Sequence, residues 1–195
     1  MTLPALDHEA LAGALRQRER RPMAIEGYAR AAVLVPIVVE AGAPDRLLFI
    51  VRDGGLRAHA GQVAFPGGRS DTSDADASAT AIREAEEELG IAPPSVRVLG
   101  WLDDEPTPSR YVITPVVARV EGPIVLRPAR DEVADAFYAD LAALRDPARY
   151  STDGDRQFLG VTYTMHQYDW RGFHIWGATA RIVRQLFLLL DGAAR

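Results

Sequence analysis

Apolar and polar residues follow two rhythms along this chain. Residues 31–39 are apolar almost throughout, as expected of a strand buried on both faces. Residues 46–52 read as a second strand, and shorter stretches at 62–65, 96–102, 111–120 and 132–138 read as further strands. Residues 161–168 and 173–176 predict a hairpin around 169–172. Helical spacing shows elsewhere. Leu11 and Leu15 share one face behind Asp7, a candidate N-cap, and that helix stops before Pro22. Residues 77–89 and 178–190 predict two longer helices, and 141–145 a brief one with Asp140 as N-cap. Strands with interspersed helices predict an α/β fold, a sandwich around a mixed sheet. No repeat, low-complexity tract or linker interrupts it. One domain over 1–195 is expected, with 1–30 as an N-terminal helical extension.

The helix over 77–89 carries the chemistry. At about 100° per residue, Ser78, Ile82, Ala85 and Leu89 fall on one small or apolar face. Glu84, Glu87 and Glu88 gather nearly opposite, at i, i+3 and i+4, while Glu86 lies apart. Arg83 stands one turn before Glu87 and is placed to orient it. Like charges at this spacing destabilise a helix by a few tenths of a kcal/mol per pair, roughly, and a divalent cation reverses that sign. Oxygen-only donors favour Mg²⁺ or Mn²⁺. A plain solvated acidic face is the alternative reading. Gly67-Gly68 upstream lets the backbone turn sharply and approach a ligand.

Composition narrows the classes. With 48% hydrophobic and 25% charged residues, the 195-residue chain is of the soluble globular kind. A net charge of −5 argues against nucleic-acid or membrane-surface binding. Every basic residue is Arg, and there is no Cys, which excludes disulfides and thiolate chemistry. His8, His59, His166 and His174 lack zinc-ligand spacing. No apolar signal or membrane-spanning run is apparent, so a cytoplasmic location is expected. The Arg-rich run at 16–21 reads as a solvated face, with a basic contact to ligand as the alternative.

With these residues placed, the segment over 67–91 resembles the Nudix box, which reads Gly, five residues, Glu, seven residues, then Arg-Glu-apolar-x-Glu-Glu-x-Gly-apolar. Residues 83–91 match its second half completely. The first half departs: counting from Gly68, Asp74 stands where Glu is expected, and eight residues rather than seven precede Arg83. The pattern over 47–74, including Arg52, Leu56, Arg57, His59, Gly61, Val63, Phe65, Asp71 and Asp74, is similar to the coenzyme A pyrophosphatase branch, which shares that insertion and the Asp. Ile50 and Asp53 depart from that branch, where Thr and Ser are usual. Residues 166–170 and 175–180 are also similar to it, so the resemblance covers about 31–190.

The resemblance implies a Nudix-type α/β/α sandwich with a mixed β-sheet. It implies a metal-dependent hydrolase that splits the pyrophosphate of coenzyme A or its derivatives into 3′,5′-ADP and 4′-phosphopantetheine or its acyl form. Metal ligation passes to Glu84, Glu87 and Glu88, with Glu84 and Glu88 ranked first, and the cofactor to Mg²⁺ or Mn²⁺. The partner is a small molecule, coenzyme A or a related nucleotide, rather than nucleic acid or membrane. Glu132 is a candidate general base, beside the plainer reading of a surface glutamate. Arg52 and Arg57 are candidates for phosphate contacts, and His59, Gly67 and Gly68 for the substrate turn. Phe65 and Pro66 read as core packing before pocket wall. Tyr168, Trp170 and Trp176 fit a pantetheine or adenine pocket, or core packing equally well. Asp71 and Asp74 steady their loop. Hydrolysis of another nucleotide, such as ADP-ribose, a dinucleoside polyphosphate or an oxidised nucleoside triphosphate, is the second reading. A non-catalytic nucleotide sensor is the third.

Overall fold

The computed structural model describes residues 6–53 and 61–193. In chain order the elements are α1 (His8–Gln17), β1 (Ala29–Val39), β2 (Arg46–Arg52), β3 (Val63–Ala64), β4 (Gly67–Arg69), α2 (Ala77–Leu89), β5 (Val96–Trp101), β6 (Glu105–Pro106), β7 (Tyr111–Glu121), β8 (Val133–Asp140), α3 (Leu141–Leu144), β9 (Tyr150–Phe158), β10 (Val161–Trp170), β11 (Phe173–Ile175) and α4 (Gly177–Ala193). The main sheet runs β3-β2-β1-β7-β5, with β4 added to β1, β6 to β7 and β8 to β2. It is mixed. β1 and β7 lie parallel from the Ala29–Tyr111 pair to the Val39–Glu121 pair, and the other pairings are antiparallel.

The unbroken apolar run of β1 is explained by burial on both sides. Ala32, Leu34 and Val38 face α2, packing with Ala81, Ala85 and Leu89. Val35 and Ile37 face the other way, into a core shared with Leu11 and Leu15 of α1 and Val183 and Leu186 of α4. Helices therefore cover both faces, as the predicted sandwich requires.

Several expectations need correction. The segment 67–69 is a strand, not a turn: its glycines lie flat on β1, in register with Ala32 and Val33. A Cβ on Gly67 would stand 2.4 Å from the Ala32 carbonyl oxygen, so only glycine allows that approach. A second sheet, β11-β10-β9, was predicted only as the β10–β11 hairpin. β9 is almost wholly exposed and polar, so no apolar alternation marks it. Asp140 precedes α3 but its side chain makes no capping bond. On α2 the buried face is Thr80, Ala81, Ala85, Glu88 and Leu89, while Ile82 is only half-buried, so one carboxylate of the acidic face points inward. The Arg-rich run is a solvated face only in part: Arg16, Glu19 and Arg21 are exposed, while Arg18 and Arg20 turn inward. Arg18 pairs with Asp103 and Arg20 with the buried Asp104, and Asp104 also takes the backbone N–H of Met23 at 2.9 Å. This straps the chain after α1 to the β5–β6 connection.

Candidate active site

α2 begins at Asp76, whose carboxylate accepts the Ala79 N–H at 2.9 Å, and ends at Gly90, left-handed at φ 69°. Its last carbonyls do not point to empty space. Glu88 O accepts the Ala129 N–H at 2.9 Å and Leu89 O accepts the Arg127 N–H at 2.8 Å. That docking brings the following loop, with Glu132 at the start of β8, alongside the glutamates.

Ahead of α2, Asp71 and Asp74 shape the loop. Asp71 accepts the Ser73 N–H at 2.8 Å, and Asp74 accepts the Asp71 N–H at 2.9 Å. Asp74 also takes the Thr80 hydroxyl at 2.9 Å and one edge of Arg83, Nε at 3.1 Å and Nη2 at 3.0 Å. The guanidinium holds the Asp74 carboxyl well below the usual carboxylate range. Arg83 does more than orient Glu87. Its Nη1 donates to Glu84 at 2.9 Å and Glu87 at 3.0 Å, and its Nη2 to the Arg69 carbonyl at 3.1 Å.

The three helix glutamates occupy unequal settings. Glu87 is 59% exposed and held by Arg83 at the solvent edge. Glu84 lies over β4: a Cβ on Gly68 would stand 2.5 Å from its carboxylate. Burial raises its pKa, against Arg83. Glu88 is 2% exposed and accepts the Gly67 N–H at 2.9 Å. Burial pushes it up to about 7, the Gly67 N–H and Arg52 oppose this, and Glu84 and Glu132 add to it. Glu132 is itself exposed, yet its charge reaches both Glu84 and Glu88.

Arg52, at the end of β2, acts on Glu88 and also lines a cleft of about 750 Å³. The cleft lies along the β4 face opposite Glu84, walled by Val33, Phe65, Ile113, Phe158, Tyr163 and Trp176. Trp176 is 41% exposed and part of that wall, whereas Tyr168 and Trp170 are buried in the core. Phe65 serves both, stacked on Phe49 at 4.7 Å. Arg57 and His59 lie outside the described residues. Sequence reasoning missed Arg69, Arg156 and Arg181, which also line the cleft. Arg69 had a signal, since alternation in β4 sends it to the face opposite Gly68.

Among the described residues no three acidic or imidazole side chains already enclose an ion. The donors nevertheless suit one: their oxygens are hard, two are buried and repel one another, and Gly68 leaves a hollow beneath Glu84 that a side chain would fill. Glu84, Glu87 and Glu88 supply the carboxylate oxygens on this face, and the charge of Glu132 reaches Glu84 and Glu88. Arg83 Nη1 ties Glu87 to Glu84, donating to both.

Residues 28–159 match the family model described as NUDIX domain. A Citrobacter koseri protein named "Uncharacterized Nudix hydrolase NudL" is 40% identical over 164 residues, 82% of this chain and 81% of that one. The Escherichia coli K12 protein of the same name is 40% identical over 166 residues, 83% of this chain and 82% of that one. A crystal structure of a MutT/nudix family protein from Enterococcus faecalis superposes with a TM-score of 0.54 at 16% identity, over 97% of this chain and 76% of that one. That last likeness is one of fold.

Proposed function

The chain belongs to the Nudix family of hydrolases, which act on nucleoside diphosphate derivatives with a divalent metal such as Mg²⁺ or Mn²⁺, and from that premise we propose that it hydrolyses the pyrophosphate bond of coenzyme A or its derivatives. The observation that carries this reading is the join between two environments. Arg52 touches the field of Glu88 on one side and lines the apolar cleft on the other. A diphosphate at Arg52 leaves the rest of a long, partly apolar substrate to lie along the cleft. The pattern over 47–74 supports the same branch.

Glu84 and Glu88 would hold the cation, with the charge of Glu132 reaching both. When bound, a cation would supply charge neutralisation for a diphosphate and a water of lowered pKa. Arg52 pairs with the phosphate oxygens through its planar fork. Arg83 fixes Glu84 and Glu87 together through one nitrogen. Glu132, exposed and close enough to influence both buried carboxylates, is placed to accept a proton. Glu88 has to lose its own proton before it can ligate, and the Gly67 N–H stabilises that anion. The apolar wall excludes water from the part of the cleft beyond the diphosphate.

The test is competition. Coenzyme A, an acyl derivative, ADP-ribose and a nucleoside triphosphate share one reaction with Mg²⁺ or Mn²⁺, and products are identified by mass spectrometry. Release of 3′,5′-ADP and phosphopantetheine, lost in Glu88→Gln, is the expected result. Selective consumption of ADP-ribose or the triphosphate would overturn the coenzyme A assignment and leave the Nudix chemistry in place. No turnover of any of the four would favour a nucleotide sensor.

A further inference from the structure

The cleft has a second charged end. Register across the main sheet places Glu105 beside Ile113, Ile113 beside Ala31, and Ala31 beside Arg69. Three strand spacings separate Glu105 from Arg69, a span of about 14 Å. At that far end Arg181 rises from α4 and rests on Glu105, Nε to Oε2 at 2.7 Å, while its Nη2 donates to the Pro106 carbonyl at 3.3 Å. The other Glu105 oxygen takes Gln185 Nε2 at 2.6 Å. Both partners are largely buried, with side chains 15% and 9% exposed.

A buried ion pair is a poor source of stability, because desolvating two charges offsets most of their attraction. Here it stands in the wall of a mainly apolar cleft, where an apolar pair would pack as well. The pair does leave something usable. Its protein acceptors take Nε and Nη2, so among the described residues Nη1 is left for a ligand. The ring of Tyr163 lies 5.4 Å from the guanidinium and limits its movement. Thr107 and Ser109, close along the chain from Pro106 and with hydroxyls 3.0 Å apart, line the same cleft, as does Arg156, which pairs at the surface with Asp153. A braced guanidinium, a second one and two hydroxyls make a recognisable setting for a phosphate. It is set away from Arg69 by the three strand spacings that cross the cleft.

We propose that Arg181, braced by Glu105, is a second anion-binding position that reads a phosphate monoester on the ribose of the substrate's nucleotide. This rests on reading the cleft as the nucleotide site. It makes Arg181 a specificity residue. A nucleoside diphosphate derivative carrying a ribose phosphate engages both ends, and one lacking it engages only the Arg52 end.

The test is calorimetric titration of the metal-free protein with 3′,5′-ADP and with AMP, which share a nucleoside and differ in the ribose phosphate. Wild-type protein is expected to bind 3′,5′-ADP about tenfold more tightly than AMP, as for one charge-assisted contact. In Arg181→Gln that ratio falls towards one. Arg181→Lys keeps the charge on Glu105 without the fork, and is expected to give an intermediate ratio even if the glutamine variant does not fold. A wild-type ratio near one would overturn the proposal, as would equal weakening of both ligands in either variant. The two readings fail separately. If coenzyme A is hydrolysed but the ratio is one, the second anion position falls alone. If the ratio holds and coenzyme A is untouched, the substrate assignment falls and Arg181 keeps its role.

Discussion

Asp74 grips Arg83 with both carboxylate oxygens, at 3.1 and 3.0 Å, and the same guanidinium carries Glu84 and Glu87. The aspartate therefore acts on the metal face at one remove. Removing it frees Arg83 to close on Glu84 and neutralise it. Asp74→Ala is expected to destabilise the protein by about 1–3 kcal/mol, as for the loss of charge-assisted hydrogen bonds to Arg83. It should also weaken Mn²⁺ binding several-fold, read by electron paramagnetic resonance of free Mn²⁺. Unchanged Mn²⁺ affinity would mean that Arg83 is held without Asp74.

Gly68→Ala tests the hollow beneath Glu84. The added methyl would stand 2.5 Å from that carboxylate, so Glu84 has to move. Turnover is expected to fall about a hundredfold, as for a displaced reacting geometry. The unfolding temperature should change little, because a carboxylate at the end of a flexible side chain gives way more easily than backbone. Wild-type turnover in this variant would show that the position of Glu84 does not matter.

Glu88 makes the metal-free protein sensitive to pH in a defined direction. Its folded pKa is about 7, above the ordinary glutamate value. Below about pH 4.3 it is protonated in both states and contributes no penalty. As pH rises towards 7 the unfolded chain gives up this proton while the folded chain keeps it, so stability falls, by on the order of 3 kcal/mol. Above 7 the contribution is level. Glu84, also raised, acts in the same sense. Urea unfolding in chelator at pH 5.5 and 8 should show this loss, and Glu88→Gln should flatten it. Equal slopes in wild type and variant would refute it.

Glu87 and Glu132 should separate. Glu87 is exposed and its charge is offset by Arg83, whereas the charge of Glu132 reaches both Glu84 and Glu88. Glu132→Gln is expected to lower turnover more than Glu87→Gln, by about tenfold or more, the scale of a lost proton acceptor. The reverse order would place the working third carboxylate on the helix.

The sheet and its helices were legible because burial leaves periodic traces. β1 reads as buried because it is apolar on both faces, and α2 is bounded by Asp76 and Gly90. The neighbourhood of Glu88 was legible only in part. Helical spacing brings it to Glu84, but not to Gly67, which sits 21 residues away and reaches it through β4. β9 left no trace, since an exposed ribbon has no apolar rhythm. Arg181 looked like any helix arginine, because its partner Glu105 lies 76 residues earlier on a two-residue strand. Long-range pairings of polar groups carry no local signature.

The thinness of β4 has a further consequence. Glu84 lies over one face of Gly68 and the cleft runs along the other, with no side chain between them. On the proposed function, the cation's ligand and the substrate's floor would be two sides of one peptide ribbon. Occupancy on either side alters the field and position of the other across a single backbone layer. By linkage, whatever factor the cation adds to substrate affinity, the substrate returns to the cation.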